Sequence, residues 1–348
     1  MADLPLDDIH ALEQKLNNTT LPAELREQAQ HALDRLVRMA SSGVYGMEYE
    51  RVARLIDWTT SLPWNVVSQD IFDLPHARAV LDEHHYGLTN VKEKILEYLS
   101  VLILRRKTGD VGAIRTPSLL FTGLVGTGKT SLAESIASAL GRKLGRIPFG
   151  GLGTAAYVRG VPRAIGGGEP GYLMKVLRRV RSKNPVILLD EIDRVSGESR
   201  PDLMGVLVEI LDPEQNRGFV DAYIDYPFDL SQILFIATAN NTTNISPAVL
   251  DRLEVIQMPS YTDEEKTEIA KLHLLPRAVR DAGLSSSSVQ IDETVWPTIV
   301  RPLGFDAGLR TLERSIQTMT RRMAKLMVEG KAQTFHVNAE NLRTYLPA

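Results

Sequence analysis

The chain has 348 residues, of which 43% are hydrophobic and 24% charged, and its formal net charge of −3 gives no global reason to expect nucleic acid or an acidic membrane surface as a partner. The absence of cysteine excludes disulfides, thiol catalysis and thiolate zinc sites. No apolar run is long enough to span a membrane and the acidic N-terminus lacks a signal-peptide pattern, so the composition predicts a soluble intracellular protein.

The first part of the chain has a helical pattern. Apolar residues recur at three- and four-residue intervals from Leu6 to about Met39, which predicts two helices separated near Pro22. A third helix is predicted from about Tyr49 to Trp58, and the stretch SLPW (Ser61–Trp64) ends it. Residues 1–75 are therefore predicted to form an N-terminal helical region.

Beyond Pro75, strand patterns alternate with amphipathic helical patterns. The predicted strands are Ser118–Thr122, Lys143–Phe149, Val186–Asp190 and Ile233–Ala239. Alternation of this kind predicts an α/β core, residues 76–262, in which a parallel sheet carries helices on both faces.

After Pro259 the strand patterns stop, and only helices are predicted. These helices are Asp263–Ala282, Asp292–Arg301 and Ala307–Glu329. Residues 263–348 are therefore predicted to form a C-terminal helical unit. Two segments, Lys107–Pro117 and Ser285–Ser288, are predicted to be loops.

The stretch GLVGTGKT (Gly123–Thr130) fits the phosphate-loop pattern G-x-x-x-x-G-K-[ST]. It follows an apolar strand and precedes a helical pattern, a context that disfavours a chance glycine turn. The glycines let backbone N–H groups point at the phosphates, Lys129 adds a positive charge, and the Thr130 hydroxyl is a predicted Mg²⁺ ligand. The predicted nucleotide-binding residues are Gly123, Leu124, Val125, Gly126, Thr127, Gly128, Lys129, Thr130 and Ser131.

The stretch VILLDEID (Val186–Asp193) supplies the acidic partner of such a loop. It lies about 60 residues downstream, where an acidic pair after an apolar strand indicates a Walker B motif rather than an ordinary strand end. Asp190 is predicted to bind nucleotide and metal, and Glu191 to polarise the attacking water as general base. ATP is favoured over GTP because no N-K-x-D motif is present, while a small-molecule kinase stays open on the phosphate loop alone.

Three polar residues complete the predicted site. Asn240 ends the strand pattern ILFIATANN, where it can hold the water. Arg252, on a loop after a short helix, is either a finger that reaches the nucleotide of a neighbouring subunit or a structural ion pair. Arg310 is predicted at the start of a helix, aimed at the γ-phosphate. In this order the motifs describe an AAA+ ATPase.

Several longer segments resemble the ATPase module of the Lon ATP-dependent proteases. They are DEHHYGLTNVKEKILEYLSV (Asp82–Val101), DEIDRV, LVEILDPEQNRGFVDAYID (Leu207–Asp225), VLDRLEVI and AGLRTLERSI, and the resemblance runs from about residue 25 to about residue 330. The LDPEQN-type segment is highly specific to that family. The resemblance implies a P-loop AAA+ core followed by an α-helical lid, with Asn240, Arg252 and Arg310 at the sensor 1, finger and sensor 2 positions.

The resemblance also implies cofactors and partners. The cofactors are ATP and Mg²⁺, and the partners are unfolded or damaged protein substrates. The chain is expected to self-associate into a hexameric ring. Its expected location is the cytoplasm or the matrix of an organelle such as a peroxisome or mitochondrion. Tyr86 and Gly87 match an adenine pocket, although Tyr86 is equally well a core tyrosine. Nothing in the chain resembles the Lon peptidase domain with its Ser–Lys dyad, so we expect an ATPase without peptidase activity, from a longer protein.

One segment departs from the family pattern. Lon proteins carry a segment resembling GHRRTYIGxxPG, whose aromatic–aliphatic pair pushes on the threaded chain, whereas this chain has GVPRAIGGGEPG (Gly160–Gly171). Ile165 stands in place of the tyrosine and Gly166 in place of its partner, so the loop is expected to be mobile and to grip poorly. Either Ile165 still works, or Tyr157 or Tyr172 replaces the missing contact.

Other functions follow from these departures and from the general motif. The chain is alternatively a nucleotide-dependent scaffold or regulator that does not translocate protein. A DNA-directed AAA+ protein, such as a helicase loader, is disfavoured by the acidic charge and by the lack of a DNA-reading motif. A metal site at His84–His85 is disfavoured because adjacent histidines point apart.

Overall fold

The computed structural model describes residues 4–40, 46–108, 117–195, 197–301 and 308–346. Its first three helices are α1 (Leu4–Asn17), α2 (Ala23–Ala40) and α3 (Gly46–Ser61). The break before α2 and the end of α3 at the SLPW stretch confirm the predicted helical pattern. Most of the predicted loop at Lys107–Pro117, residues 109–116, lies outside the described part of the chain.

The α/β core follows, beginning with two helices before the first strand. Its helices are α4 (Leu74–His84), α5 (Thr89–Lys107), α6 (Lys129–Ala139), α7 (Ala156–Arg159), α8 (Tyr172–Val180), α9 (Arg200–Leu211) and α10 (Pro247–Leu250). Its strands are β1 (Ser118–Thr122), β2 (Leu144–Pro148), β3 (Val186–Asp190), β4 (Phe219–Val220), β5 (Pro227–Phe228), β6 (Leu234–Ala239) and β7 (Leu253–Gln257).

Five of these strands form one parallel sheet in the order β2-β3-β6-β1-β7, which confirms the predicted α/β fold. Because the strands are parallel, β1, β3 and β6 all end at the same edge, in the crevice where open α/β sheets bind ligands. The prediction missed β7, a short edge strand in which the exposed Glu254 interrupts the apolar run. It also missed the antiparallel pair β4–β5.

Hydrophobic side chains cover both faces of the sheet. Helices α4, α5 and α6 pack on one face, through residues such as Ile95 and Ile136. The N-terminal helices contribute to a continuous core with the other face, where the Trp64 ring lies 4.9 Å from that of Phe228. The helical region therefore shares its core with the sheet, and a domain boundary at residue 75 stays a prediction.

The C-terminal unit contains the predicted helices and a core of its own. The elements are α11 (Asp263–Ile269), a π-helical turn (Ala270–Leu274), α12 (Leu275–Asp281), β8 (Val289–Ile291), α13 (Trp296–Val300), α14 (Arg310–Val328), β9 (Phe335–Val337) and α15 (Leu342–Tyr345). Strands β8 and β9 pair in parallel, so the expectation that strands stop after Pro259 is wrong. Three-residue strands are too short to show an alternating pattern.

A buried histidine contact fastens the end of α4 to α6. The rings of His84 and His85 lie 3.0 and 2.9 Å from the hydroxyl oxygen of Ser135, which is on α6. Burial lowers the pKa of His85 to about 4, and the nearby charges of His84, Lys92 and His273 act in the same direction. His85 is therefore neutral in the folded protein at neutral pH. Among the described residues, no group of three or more His, Asp or Glu side chains could hold a metal ion here or elsewhere.

This contact predicts acid sensitivity. Because the pKa of His85 is lower in the folded than in the unfolded chain, the unfolded chain binds the extra proton, and stability falls as the pH drops from 6.5 towards 4. The contribution of His85 amounts to about 3 kcal/mol of the free energy of unfolding. Denaturant titrations at pH 6.5 and pH 4 measure how much the free energy of unfolding decreases. The decrease should be smaller for His85→Gln than for the unaltered protein. It should be undiminished for His31→Gln, which alters an exposed histidine on α2. Equal decreases in both variants would contradict this origin.

Candidate functional site

The loop between β1 and α6 is shaped by glycine and by contacts with its neighbours. Gly126 and Gly128 have φ angles of +83° and +92°, in the left-handed region that favours glycine. The Thr127 hydroxyl, inside the loop, donates to the carbonyl of Leu124 at 2.9 Å, and the Tyr261 hydroxyl donates to the Thr127 carbonyl at 3.1 Å. The first N–H groups of α6 are thereby held at the mouth of the loop, as an anion site requires.

Lys129 brings the loop together with the ends of β3 and β6. Its Nζ donates to the carbonyls of Gly123 at 2.6 Å and Leu124 at 2.9 Å, and it lies 3.4 Å from Oδ1 of Asn240. Burial lowers the pKa of the Lys129 ammonium, while three facing carboxylates oppose that shift. They belong to Asp193, Asp190 and Glu191.

The two acidic residues at the end of β3 have different surroundings. Asp190 is buried, accepts a hydrogen bond from the Thr238 hydroxyl and is paired with Arg146. Glu191 is half-buried and has a φ of +57°, which is costly for a residue with a Cβ and is typical of strained functional positions. Its carboxylate accepts two hydrogen bonds from Nη1 of Arg194, at 3.0 and 3.1 Å.

Asn240 is held by an acidic residue that the sequence analysis left without a role. The backbone N–H of Asn240 donates to Oδ2 of Asp193 at 3.0 Å, and that of Asn241 to the same oxygen at 3.4 Å. Asp193 is 4% exposed, and its Oδ1 has no hydrogen-bond partner within the described ranges. Its position as the third carboxylate of VILLDEID, one turn beyond Asp190, was the signal that could have found it.

A cleft of about 430 Å³ lies where the sheet edge, the phosphate loop and the C-terminal unit meet. The predicted residues that line it are Val125, Gly126, Gly128, Lys129, Thr130, Ser131, Asp190, Glu191, Asn240 and Arg310. Gly123 and Leu124 contribute their carbonyls to Lys129, and Thr127 is buried within the loop. The prediction missed seven other residues that line the cleft: Glu134, Arg146, Thr238, Leu274, Arg277, Leu309 and Glu313.

The C-terminal unit contacts the phosphate loop directly through the main chain. The N–H of Leu309 donates to the carbonyl of Gly126 at 3.0 Å, just before Arg310 begins α14. A Cβ at Gly308 would come within 2.3 Å of the Val125 carbonyl oxygen, so only glycine fits at that position. The predicted placement of Arg310 at a helix start beside the loop is thus observed.

Arg252 does not line this cleft. As predicted, it follows a short helix, α10, in a turn before β7. Its guanidinium pairs with the carboxylate of Asp212, at the end of α9, at 2.6 Å. An ion pair within the chain is therefore present, while the finger role stays a prediction.

Tyr86 and Gly87 also lie outside the residues that line the cleft. Tyr86 is 38% exposed, so it is not a core residue, and its contact with a purine stays a prediction. Gly87 has a φ of +63° and lies against Glu265 of α11.

The segment Gly160–Gly171, here called the glycine-rich loop, is held together by hydrogen bonds at its base and is exposed at its tip. The N–H of Val161 donates to the carbonyl of Glu169 at 2.8 Å, and the N–H of Gly171 donates to the buried carboxylate of Asp221 at 2.7 Å. At the tip, Ile165 is 56% exposed. The rings of Tyr157 and Tyr172 stack with their centroids 4.8 Å apart, so one face of each ring is covered by the other.

The donor set at the cleft fits a hard divalent cation. The Thr130 hydroxyl and the Asp190 carboxylate face the same space, and oxygen ligands of this kind are those that Mg²⁺ uses beside nucleotide phosphates.

None of the helices within the described residues is long and apolar enough to cross a membrane.

Comparison with known proteins agrees with this geometry. Residues 119–261 match the family model described as "ATPase family associated with various cellular activities (AAA)", and residues 280–335 match the "Lon protease AAA+ ATPase lid domain". The chain is 41% identical to a Lon protease of Lawsonia intracellularis over 341 residues, which is 98% of this chain and 40% of that protein. It is 44% identical to a Lon protease of Chloroflexus aurantiacus over 328 residues, 94% of this chain and 39% of that protein. The chain thus spans about two-fifths of the relatives it matches.

Proposed function

Because the chain joins an AAA ATPase domain to a Lon-type lid, and so is an AAA+ module of the Lon family, we propose that it hydrolyses ATP in the cleft between sheet and lid and uses the energy to unfold and move protein chains. One observation carries the proposal. The Lys129 ammonium, the Asn240 amide and the carboxylates at the end of β3 come from separate strands and loops, yet they converge on one cleft that Arg310 closes. Each has the chemical type that phosphoryl transfer requires at its position.

The phosphate loop binds the triphosphate in this proposal. Backbone N–H groups at the start of α6 donate to the phosphate oxygens, and Lys129 exchanges its contacts with the loop carbonyls for the β- and γ-phosphates. Thr130 and Asp190 would hold Mg²⁺, which when bound neutralises charge that develops on the phosphates. Arg310, on the lid side of the cleft, donates to the γ-phosphate and so links nucleotide occupancy to lid position.

Glu191 and Asn240 act on the attacking water. The Glu191 carboxylate accepts a proton from it as general base, and the Asn240 amide orients it. In the structure, Nη1 of Arg194 lies 3.0 Å from Oε1 of Glu191 and forms an ion pair with it. Water reaches both side chains of this ion pair, so the pair is weak enough to be exchanged when substrate enters.

Full hydrolysis requires self-association in this proposal. Arg252 does not line the chain's own cleft, as expected of a residue that completes the site of a neighbour. A ring, with six subunits in the whole protein, satisfies this requirement for every site. Protein substrates would pass the exposed tip of the glycine-rich loop at Ile165. The bacterial relatives favour a cytoplasmic location, and the units 1–75, 76–262 and 263–348 are the proposed division of the chain.

Steady-state ATP hydrolysis, measured against protein concentration with and without unfolded casein, tests this function. The rate per subunit should rise with concentration, because sites are completed by neighbours, and should rise again when casein engages the loop. A rate independent of concentration would contradict the assembled site. A rate that casein leaves unchanged would contradict translocation.

The glycine-rich loop favours a second candidate function, an ATP-dependent scaffold that assembles without moving protein. Within the described part of the chain, no atom lies within 4 Å of a Cβ placed on Gly166 or Gly167, so the tip has little surface with which to grip. The variant Ile165→Tyr separates the two functions. A casein response that is absent from the natural chain and appears in the variant would favour the scaffold.

A further inference from the structure

The segment LDPEQN, singled out in the sequence, has no role in the function described so far. In the structure it forms a tight turn at the end of α9. The N–H of Asp212 closes the helix on the Val208 carbonyl at 2.9 Å, while its own carbonyl accepts from the N–H groups of Gln215 and Asn216 at 3.1 and 2.9 Å. The backbone of Asp212 is therefore fixed from both sides.

The side chain of Asp212 is fixed as well. Oδ1 accepts from the N–H of Glu214 at 2.9 Å, and Oδ2 accepts from Nε2 of Gln215 at 3.1 Å. The remaining contacts of Oδ2 are with Arg252, at 3.0 Å from Nε and 2.6 Å from Nη2. Burial acts to raise the pKa of Asp212, but the hydrogen bonds from Arg252 and Glu214 hold it below its ordinary value. Asp212 is thus a fixed, ionised acceptor, with a side chain 14% exposed.

Arg252 uses only part of its donor capacity on these partners. Nη1 donates to the Ala248 carbonyl at 2.8 Å, so three of the five N–H groups of a guanidinium are engaged within the chain. Among the described residues, the other two N–H groups, one on each Nη, have no acceptor, and the side chain is 28% exposed. A planar group held by Asp212 and Ala248, with two donors left over, suits an oxygen-rich anion such as a phosphate.

We propose that Asp212 is a positioning residue for trans hydrolysis, which holds the Arg252 guanidinium so that its remaining N–H groups face the γ-phosphate of ATP bound by a second copy of this chain. The inference rests on the proposed function, because it takes Arg252 as the finger. In this proposal the LDPEQN segment contributes Asp212, and the ion pair between Asp212 and Arg252 orients the finger. A fixed guanidinium loses less side-chain freedom when it meets the phosphate, so the pairing favours the assembled site.

Four variants test the proposal: Arg252→Ala, Asp212→Ala, Asp212→Asn and the double variant Asp212→Ala/Arg252→Ala. Loss of a finger lowers kcat by about 10³-fold or more. We expect Asp212→Ala to lower kcat by at least about tenfold, and Asp212→Asn, which keeps an acceptor oxygen, by less. The affinity of each subunit for ATP should stay unchanged. If the two residues act as one unit, the double variant is no slower than Arg252→Ala. The matched control is Glu214→Gln, an exposed carboxylate in the same turn, whose kcat should be normal.

Mixing variants distinguishes positioning from damage to the fold. Subunits with Lys129→Met have a defective phosphate loop but an intact Asp212 and Arg252. Added in excess to Asp212→Ala subunits, they should restore hydrolysis at the intact cleft of the latter. No restoration, or a normal kcat in both Asp212 variants, would overturn the inference. A normal kcat in Arg252→Ala would instead overturn the trans role in the proposed function. If Asp212→Ala does not fold, Asp212→Asn gives the same comparison.

Discussion

Glu191→Gln is expected to lower kcat for ATP hydrolysis by about 10²- to 10⁴-fold, the contribution of a well-placed general base. The amide keeps the size of the side chain but cannot accept the water's proton. Lys129, Thr130 and the loop N–H groups are unchanged, so ATP should bind with nearly its original affinity. Single-turnover hydrolysis, together with the binding of a fluorescent ATP analogue, measures the two effects separately.

The control for this experiment is Glu198→Gln, which makes the same change in an exposed glutamate seven residues along the chain. Its kcat and affinity should match those of the unaltered protein. A kcat within twofold of normal in Glu191→Gln would remove Glu191 as the base. A parallel loss of affinity would show that the left-handed backbone at residue 191 had rearranged.

Lys129→Met is expected to weaken ATP binding by about 30-fold or more, the cost of removing one partner of a buried, hydrogen-bonded charge pair. The ammonium faces carbonyls of the loop on one side and three carboxylates on the other, so it offsets negative charge even before the triphosphate arrives. With methionine, those carboxylates repel the phosphates without compensation. Hydrolysis should be lost together with binding, unlike in Glu191→Gln.

The matched control is Lys143→Met, at the opposite end of the sheet, where β2 begins. Its side chain is exposed and its ATP affinity should be normal. Calorimetric titration with ATP checks both variants. An unchanged affinity in Lys129→Met would contradict the phosphate-binding role, while weak binding in both would indicate a general effect of charge.

Local pattern was sufficient to predict four of the five strands of the sheet and most residues of the cleft. A phosphate loop is contiguous in sequence, and buried strands such as Val186–Asp190 are uniform apolar runs, so both are visible without any knowledge of the fold. Asp190 and Asn240 were each predicted at the end of a buried strand, and parallel strands end at one edge of a sheet. The structure places both in the cleft.

Residues missed by the sequence analysis act across elements that are distant in the chain. Tyr261 supports Thr127 from 134 positions away, and Arg146 meets Asp190 across adjacent strands. Neither belongs to a spaced motif, and an isolated tyrosine or arginine has the same local pattern whether it lies on a surface or beside a nucleotide. Strand β7 was missed for a different reason: it lies at the sheet edge, where the exposed Glu254 interrupts a short apolar run.

Main-chain atoms join the phosphate loop to the lid. The Leu309 N–H donates to the Gly126 carbonyl, and the backbone of Gly308 lies so close to the Val125 carbonyl that no Cβ fits between them. This main-chain contact does not depend on the side chain of Arg310, so a substitution at that position can change turnover without breaking it. Leu309 differs, because its side chain also packs against the hydrophobic cores of both units. Replacement of Gly308 has the opposite consequence, since any Cβ pushes the lid off the loop whatever the chemistry of the cleft. Turnover at the cleft and attachment of the lid can thus be altered separately, the first through the Arg310 side chain and the second through the backbone at Gly308.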